Sequence, residues 1–494
     1  MASKKCRPWS PTQSFLLPPS PLEWLPAGHL AYFVLDVVAT LDVREIEAAI
    51  DAKDPRGERP YQPAMMLALL VYAYCVGIFS SRKIARATFE DVAFRVLAGS
   101  AHPHFTTINQ FRLDHRTAFA GLFVQVLRLC QKAGMVKLGH VAFDGSKIAA
   151  NASKHKAMSY QRMSEQEERL TREVEELLAR ADAADQRDDE KHGVGCAPED
   201  VPAELQRREE RLARIREAKA ALQAEAAQAR ADELRERADE QRAKAADESV
   251  DAAERERAAT RAAESEKAAA ALRGDDPPTN GAAGGDGSDL PSHRVPHQAD
   301  GTPAPTAQRN FTDADSRIMK KDGAFVQGYN AQTAVDSESQ VIVGEAVTNQ
   351  APDCEHLLPM IDRVEATCRQ KPTVVSADAG YFSRDNVAAC ERRGVDPHIA
   401  VGRERKGATS ASPDPVREQM RTKLLSGRGK AIYARRKTIV EPPFGQIKQA
   451  RGFRRFSLRG LAKVRTEWTF VCLTHNLLKL FRAPLSIATA PVAA

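Results

Sequence analysis

Asp144, Asp378 and Glu441 are three acidic residues far apart in the chain, each in a setting suited to metal-assisted chemistry on phosphate. Asp144 closes the apolar run Val141-Ala142-Phe143, and Asp378 closes Val374-Val375-Ser376-Ala377. Glu441 opens Glu441-Pro442-Pro443-Phe444-Gly445-Gln446-Ile447-Lys448. Between 435 and 465 there are ten Lys and Arg but one acid, Glu441 itself. Solubility does not ask for a lone acid amid ten bases. Hard divalent cations take carboxylate and water oxygens. Two of them about 3.5–4 Å apart activate the attacking oxygen and stabilise the leaving one in phosphodiester hydrolysis. Small residues follow both aspartates, Gly145-Ser146 and Ala379-Gly380, and permit close backbone approach. An aspartate at a strand end is more often a turn or cap residue, so the argument rests on the three contexts together. Tyr433, Phe444, Phe453 and Phe456 interleave with the bases, which suits backbone tracking and contact with unstacked bases. Pro442 and Pro443 fit a helix start, with Glu441 just before or within the first turn.

The elements that must position these residues follow from periodicity. Residues 29–134 read as helical: Leu30, Phe33, Val34, Val37, Val38 and Leu41 recur at three and four. Pro63 starts a helix to Phe79, Ser80-Ser81 caps the next, and Thr106–Arg112 opens another. The Gly-Ile-Phe-Ser-Ser turn between short helices is compatible with a helix-turn-helix. Residues 139–150 predict a strand ending at Asp144. Residues 328–336 and 340–347 predict an antiparallel hairpin. A helix with Asp353 as its cap, a strand over 373–378, a helix over 384–393, a strand over 398–401 and a helix over 460–482 follow. The outcome is a mixed sheet flanked by helices, with both aspartates at strand ends, where ligands gather in such sheets.

A different character intervenes. Residues 156–272 are rich in Ala, Glu, Arg and Gln, and Leu205, Leu212, Ile215 and Leu222 fit a heptad seam interrupted by Lys219. Gly193, Gly195, Pro198 and Pro202 split the run into two arms, which predicts a helical hairpin or coiled coil; a solvated low-complexity insert is the alternative. Residues 273–308, rich in Gly, Pro, Asp and Ser, predict a flexible linker. Residues 1–28 are Pro-rich and expected to be extended.

The net charge of +6 hides segregation. Residues 161–270 carry −9 and 271–310 carry −2, leaving +17 on the remainder, a balance that favours a polyanionic partner. Eight scattered cysteines with no Cys-x-x-Cys argue against a thiolate metal cluster or a disulfide framework and fit a reducing cytosol. The N-terminus lacks the apolar stretch of a signal peptide, and Leu67–Phe79 is too short to span a bilayer. A cytoplasmic, nucleoid-associated protein is expected, with no membrane partner.

Two blocks resemble the DDE transposases of bacterial insertion sequences. Tyr61-Gln62-Pro63-Ala64 through Gly77–Ile84 to Thr107–Arg112 is similar to their helical N-terminal domain. Phe143-Asp144-Gly145-Ser146, Ala377-Asp378-Ala379-Gly380-Tyr381 and Val440–Lys448 are similar to their catalytic core. The resemblance implies an α/β RNase H-like core (136–155 and 309–482) with an all-α N-terminal domain (29–135), a charged helical insert (156–272), the linker (273–308) and a tail (483–494). It implies that Asp144, Asp378 and Glu441 hold Mg²⁺ or Mn²⁺, two ions, and that Lys448 is the signature lysine on DNA. Tyr433 lies near the signature tyrosine, and Arg436 or Lys437 fills the arginine position. Arg451 and the N-terminal Arg82, Lys83 and Arg112 are further expected contacts to DNA. The implied activity is cleavage at the element's ends and 3′-OH transfer into target DNA, by a dimer or higher oligomer on terminal inverted repeats. A metal-dependent nuclease without strand transfer and a non-catalytic DNA-binding protein are the alternatives.

Overall fold

The computed structural model describes residues 20, 23–52, 59–192, 203–272, 290–321, 323–402 and 414–483. Most of the extended segment expected over 1–28, the tail, and the helix breakers Gly193 to Pro202 lie outside them. Seven helices come first: α1 (Leu30–Thr40), α2 (Arg44–Asp51), α3 (Pro63–Cys75), α4 (Ser81–Glu90), α5 (Val92–Leu97), α6 (Phe105–Asp114) and α7 (Arg116–Lys132). In α1 the three-and-four spacing turns Ala31, Val34, Val37 and Val38 into the core. Pro63 sits in the first turn of α3, where its missing N–H costs nothing. That helix stops at Cys75, short of the expected Phe79. Gly77 takes φ +83, and a Cβ there would lie 2.6 Å from the Arg451 carbonyl oxygen, so only glycine fits this approach. Ser80 occupies the N-cap position of α4 without the expected side-chain capping bond.

The described residues that follow form eight strands and eight α-helices. The strands are β1 (His140–Ala149), β2 (Ala157–Ser159), β3 (Gln308–Asn310), β4 (Arg317–Lys321), β5 (Ala324–Asp336), β6 (Ile342–Thr348), β7 (Val374–Ala377) and β8 (Asp396–Ile399). The helices are α8 (Tyr160–His192), α9 (Ala203–Ala246), α10 (Ala252–Ala271), α11 (Leu357–Cys368), α12 (Arg384–Arg392), α13 (Pro415–Leu425), α14 (Gly427–Gly445) and α15 (Leu461–Phe481). β1 lies central in the main sheet, antiparallel to β5 and parallel to β7, with β8 parallel beyond β7. β4 and β6 pair with successive stretches of β5. This is the mixed, helix-flanked sheet of an RNase H-like core.

The insert holds three helices rather than two arms. α9 packs against both α8 and α10, because the chain breaks again after Ala246 and Asp251 caps α10 through the Ala253 N–H. Leu212 and Ile215 meet Met163 and Leu170 in one seam, and Lys219 reaches Glu167 at 2.9 Å. Residues 290–308 do not behave as the expected free linker. Val295 and Ala307 bury against Leu222 and Ala226 of α9, and Arg294 pairs with Glu236. Leu290, by contrast, joins the main apolar core.

One apolar core runs from Ala31 to Leu478. The N-terminal helices therefore share a core with the sheet. The joint is α15, buried from Glu467 to Leu478 and packed on α3, α7 and β6. The Phe470 ring meets Tyr74 at 4.8 Å and Phe119 at 5.0 Å. On the opposite side Asn476 bonds the Ile342 N–H and C=O, both at 2.8 Å, completing the edge of β6.

His475 beside it donates Nε2–H to the Gln340 carbonyl at 3.0 Å. Burial, then the Arg451 charge, push its pKa down to about 3; burial also pushes His140 down to about 4. The unfolded imidazole protonates near pH 6.5 and the folded ones resist, so stability is lost as pH falls below that value. Going from about pH 7 to about pH 5 is expected to cost on the order of 2 kcal/mol per histidine. Thermal melts should show the loss, flattened in His475→Gln, which keeps an N–H donor. An unchanged pH slope in that variant would refute the account.

Candidate functional site

Asp144 is the fifth residue of β1. The strand does not end there as expected but runs on to Ala149, because β5 pairs with it throughout, Asp144 opposite Thr333 and Ala149 opposite Gly328. On the other side β7 pairs only at its start, with Val141 opposite Val375 and Ala142 opposite Ser376. Carrying that register two residues further sets Asp378 beside Asp144. The Asp378 backbone remains extended, φ −78 and ψ −178, and neighbouring strands lie about 4.8 Å apart. The Asp378 carboxylate accepts the Gly380 N–H at 2.9 Å. Burial pushes the Asp144 carboxyl up to about 6; the Asp378 and Asp353 charges add to the rise, while the Arg436 guanidinium and the Gly145 N–H oppose it.

Side chains alternate along a strand, so Asp144 and Ser146 share one face of the sheet and Gly145 and Lys147 the other. Helix α14 covers the first face, packing on β1, β5, β7 and β8. It brings Arg436 Nη1 to 3.9 Å from Asp144 Oδ2 and, just beyond its end, Lys448 Nζ to the Ser146 hydroxyl. Arg436 stacks over Tyr433 at 6.0 Å, and its Nε and Nη1 are buried with no hydrogen-bond partner among the described residues. Of the two residues considered for the arginine position, Arg436 reaches the aspartate, whereas Lys437 is exposed.

Glu441 lies inside α14, not at a helix start. Pro442 and Pro443 are in the helix interior, where each removes an N–H from a carbonyl four residues back. Gln340 fills one gap, donating Nε2–H to the Thr438 carbonyl at 2.8 Å. A π-helical turn, Gln446–Ala450, follows, a feature frequent at functional sites. Glu441 stands between Arg436 and Lys448 along the chain and is exposed. Among the described residues no three His, Cys, Asp or Glu side chains are grouped to hold a metal ion. The fold thus brings Asp144 and Asp378 together and leaves Glu441 outside that pair.

The comparisons with known proteins bear on both halves. Residues 297–477 match the family described as Transposase DDE domain, and residues 20–114 match the Transposase domain (DUF772) family; together they span more than half of the chain. Those two stretches carry the domains of DDE-type insertion-sequence transposases. It is 28% identical over 167 residues to the transposase for insertion sequence element IS1106 of Neisseria meningitidis serogroup B, across 34% of this chain. The chain spans about half, 52%, of that relative's length. No solved structure matches it significantly. The Transposase DDE domain match includes Asp378 and Glu441 but begins after β1, so Asp144 enters the site from beyond the insert.

Several residues expected to touch DNA have other work in this fold. Arg112 is buried and donates to the Tyr74 hydroxyl (2.9 Å), the Phe79 carbonyl (3.2 Å), Ser81 and Asn109. Arg451 is buried against α15, donating to Thr474 Oγ1 at 2.8 Å and the Val471 carbonyl at 3.3 Å. Burial lowers its pKa to about 10. Phe444, Phe453 and Phe456 are also core: Phe453 packs on Phe79 (5.0 Å), Phe456 (5.4 Å) and Trp468 (6.4 Å). They are closed to bases. Arg82 and Lys83 are exposed on α4, with Arg82 over the Phe105 ring at 4.9 Å. Arg435, Lys437, Arg454, Arg455, Arg459 and Lys463 keep the basic face.

Sequence reasoning missed Asp353, taken as a helix cap. It makes no side-chain cap bond and instead receives Lys147, Asn330 and Gln332 on the far face of the sheet. Burial disfavours its charge, but His356, Lys147 and Asn330 outweigh that and hold the carboxyl well below the usual range. The available signal was Asn330 and Gln332 at alternate positions of an apolar strand, both buried. If Arg112 is internal wiring, Arg112→Met should cost about 3 kcal/mol by stranding buried acceptors, whereas Arg82→Ala should shift stability by less than about 0.5 kcal/mol. Thermal melts of the two variants compare them directly; equal melting temperatures would return Arg112 to the surface.

Proposed function

We propose that this transposase cuts DNA at the ends of its element and joins the freed 3′-OH to target DNA, using Asp144, Asp378 and Glu441 as the acidic residues of the site. The observation that supports it most is the shared register of Asp144 and Asp378, faced by a cationic helix. Two adjacent carboxylates, one already raised to about 6, form a hard-oxygen donor set of the kind Mg²⁺ or Mn²⁺ takes. When bound, such ions would activate the attacking oxygen and offset charge on the leaving one. Glu441, on the helix that carries Arg436 to Asp144, is the third donor of this reading.

The chain's own groups do the rest. Arg436, with two buried unpartnered nitrogens, is placed to take a phosphate oxygen near Asp144, where a guanidinium fork suits such a partner. Lys448 stands at the next position along β1. The exposed arginines and lysines from 435 to 463 run along the phosphate backbone, fixing register rather than reading sequence. Hydrolysis breaks a P–O3′ bond and leaves the 3′-OH, which then displaces a 3′-oxygen in target DNA in line, with no covalent protein intermediate.

Asp144→Asn keeps the shape of the side chain and removes its charge. It should reduce cleavage of element ends in Mg²⁺ by about a thousandfold or more while leaving DNA retention in a gel shift intact. Cleavage at the wild-type rate would sink the assignment. A substrate with a pre-cut 3′ end separates transposase from nuclease, since only the former yields a joined product.

A further inference from the structure

Asp353 lies on the sheet face opposite Asp144, and its side-chain contacts lead to residues that follow each aspartate. Lys147, three residues after Asp144, places Nζ at 3.0 and 3.1 Å from the two Asp353 oxygens. On β5, Asn330 and Gln332 donate to Oδ1 at 2.7 and 2.8 Å; they stand opposite Lys147 and Gly145 in the ladder. The link continues to the turn that follows Asp378. Gln332 Oε1 accepts the hydroxyl of buried Tyr381, and Asn386 Nδ2 bridges the carbonyls of Cys354 (2.7 Å) and Tyr381 (2.8 Å).

The two glycines next to the aspartates press on the same group. A Cβ built on Gly145 would lie 2.9 Å from Asp353 Oδ1 and 2.4 Å from Gln332 Nε2; one on Gly380 would lie 3.4 Å from Asp353 Oδ2. With Lys147, Asn330 and Gln332 all donating to it, the Asp353 carboxylate has little capacity left for a cation.

We propose that Asp353 is a positioning residue: from the far face of the sheet it ties β1 to the turn after β7 and so sets the spacing at which Asp144 and Asp378 take a divalent cation. The inference rests on the reading of those two residues as metal donors. It gives a role to a partly buried ion pair that the reaction itself does not use. Outer partners of this kind commonly change metal affinity by about 10–100-fold when removed.

The test uses the full chain without DNA. Binding of Mn²⁺ is followed by the electron paramagnetic resonance of the free ion, alongside circular dichroism and thermal melts. Asp353→Asn should weaken Mn²⁺ binding about tenfold or more and raise by a similar factor the Mn²⁺ concentration needed for half-maximal cleavage. Unchanged Mn²⁺ affinity in the folded variant, whatever its melting temperature, would overturn the proposal and leave Asp353 a purely structural residue. Should Asp353→Asn fail to fold, Tyr381→Phe removes only the hydroxyl at the end of the link. It should weaken Mn²⁺ binding in the same direction, and wild-type affinity there counts against the proposal. Asp144→Asn is the separate control: if it binds Mn²⁺ as tightly as wild type, the metal reading itself fails, independently of Asp353.

Discussion

Two carboxylates at matching positions on adjacent parallel strands repel each other, and the surrounding elements are arranged around that repulsion. Burial makes it worse by removing water, which is why the Asp144 carboxyl is pushed up to about 6. Arg436 supplies the compensating charge from one face at 3.9 Å. On the opposite face the Lys147 ammonium is paired with Asp353 at 3.0 Å. β1 is consequently lined with opposed charges through its thickness, an arrangement that only strong backbone pairing on both sides could hold in place. β5 and β7 provide it.

Helix α14 is the second consequence. To cover the acidic face it must carry cations inward and still end near the core. Its prolines and the π turn after it come just before Phe453, which enters the aromatic cluster with Phe79 and Trp468. Gly77 meets the Arg451 backbone at this junction. The N-terminal helices are thereby fixed to the main sheet through the same segment that carries Glu441. On the proposed function, DNA-facing surface and the acidic site would then move as one body.

Charge is divided along the chain in keeping with this. The insert is acidic and meets the sheet domain through arginines of the re-entering segment: Arg309 and Arg317 both face Glu225 on α9. The basic face of α14 and the loop after it is left to solvent. On the proposed function, an acidic arm anchored at its root by ion pairs does not compete for the phosphate backbone offered to the basic face.

The local content of the site was legible in the sequence: apolar runs made β1 and β7, heptads made the insert, and the lone glutamate stood out among bases. Strand endings, helix direction and burial were not. β1 outruns Asp144 because a partner 189 residues away pairs with it, and Pro442 and Pro443 lie mid-helix because Gln340, from another strand's turn, satisfies a carbonyl they cannot. Arg112, Arg451 and three phenylalanines resemble surface contacts by composition; only packing decided that they are internal. Asp353 looked like a cap because its partners, Lys147, Asn330 and Gln332, come from two other strands. Periodicity is a local property and was fixed by the chain itself, whereas which polar groups meet depends on long-range register, and that was settled by the tertiary structure.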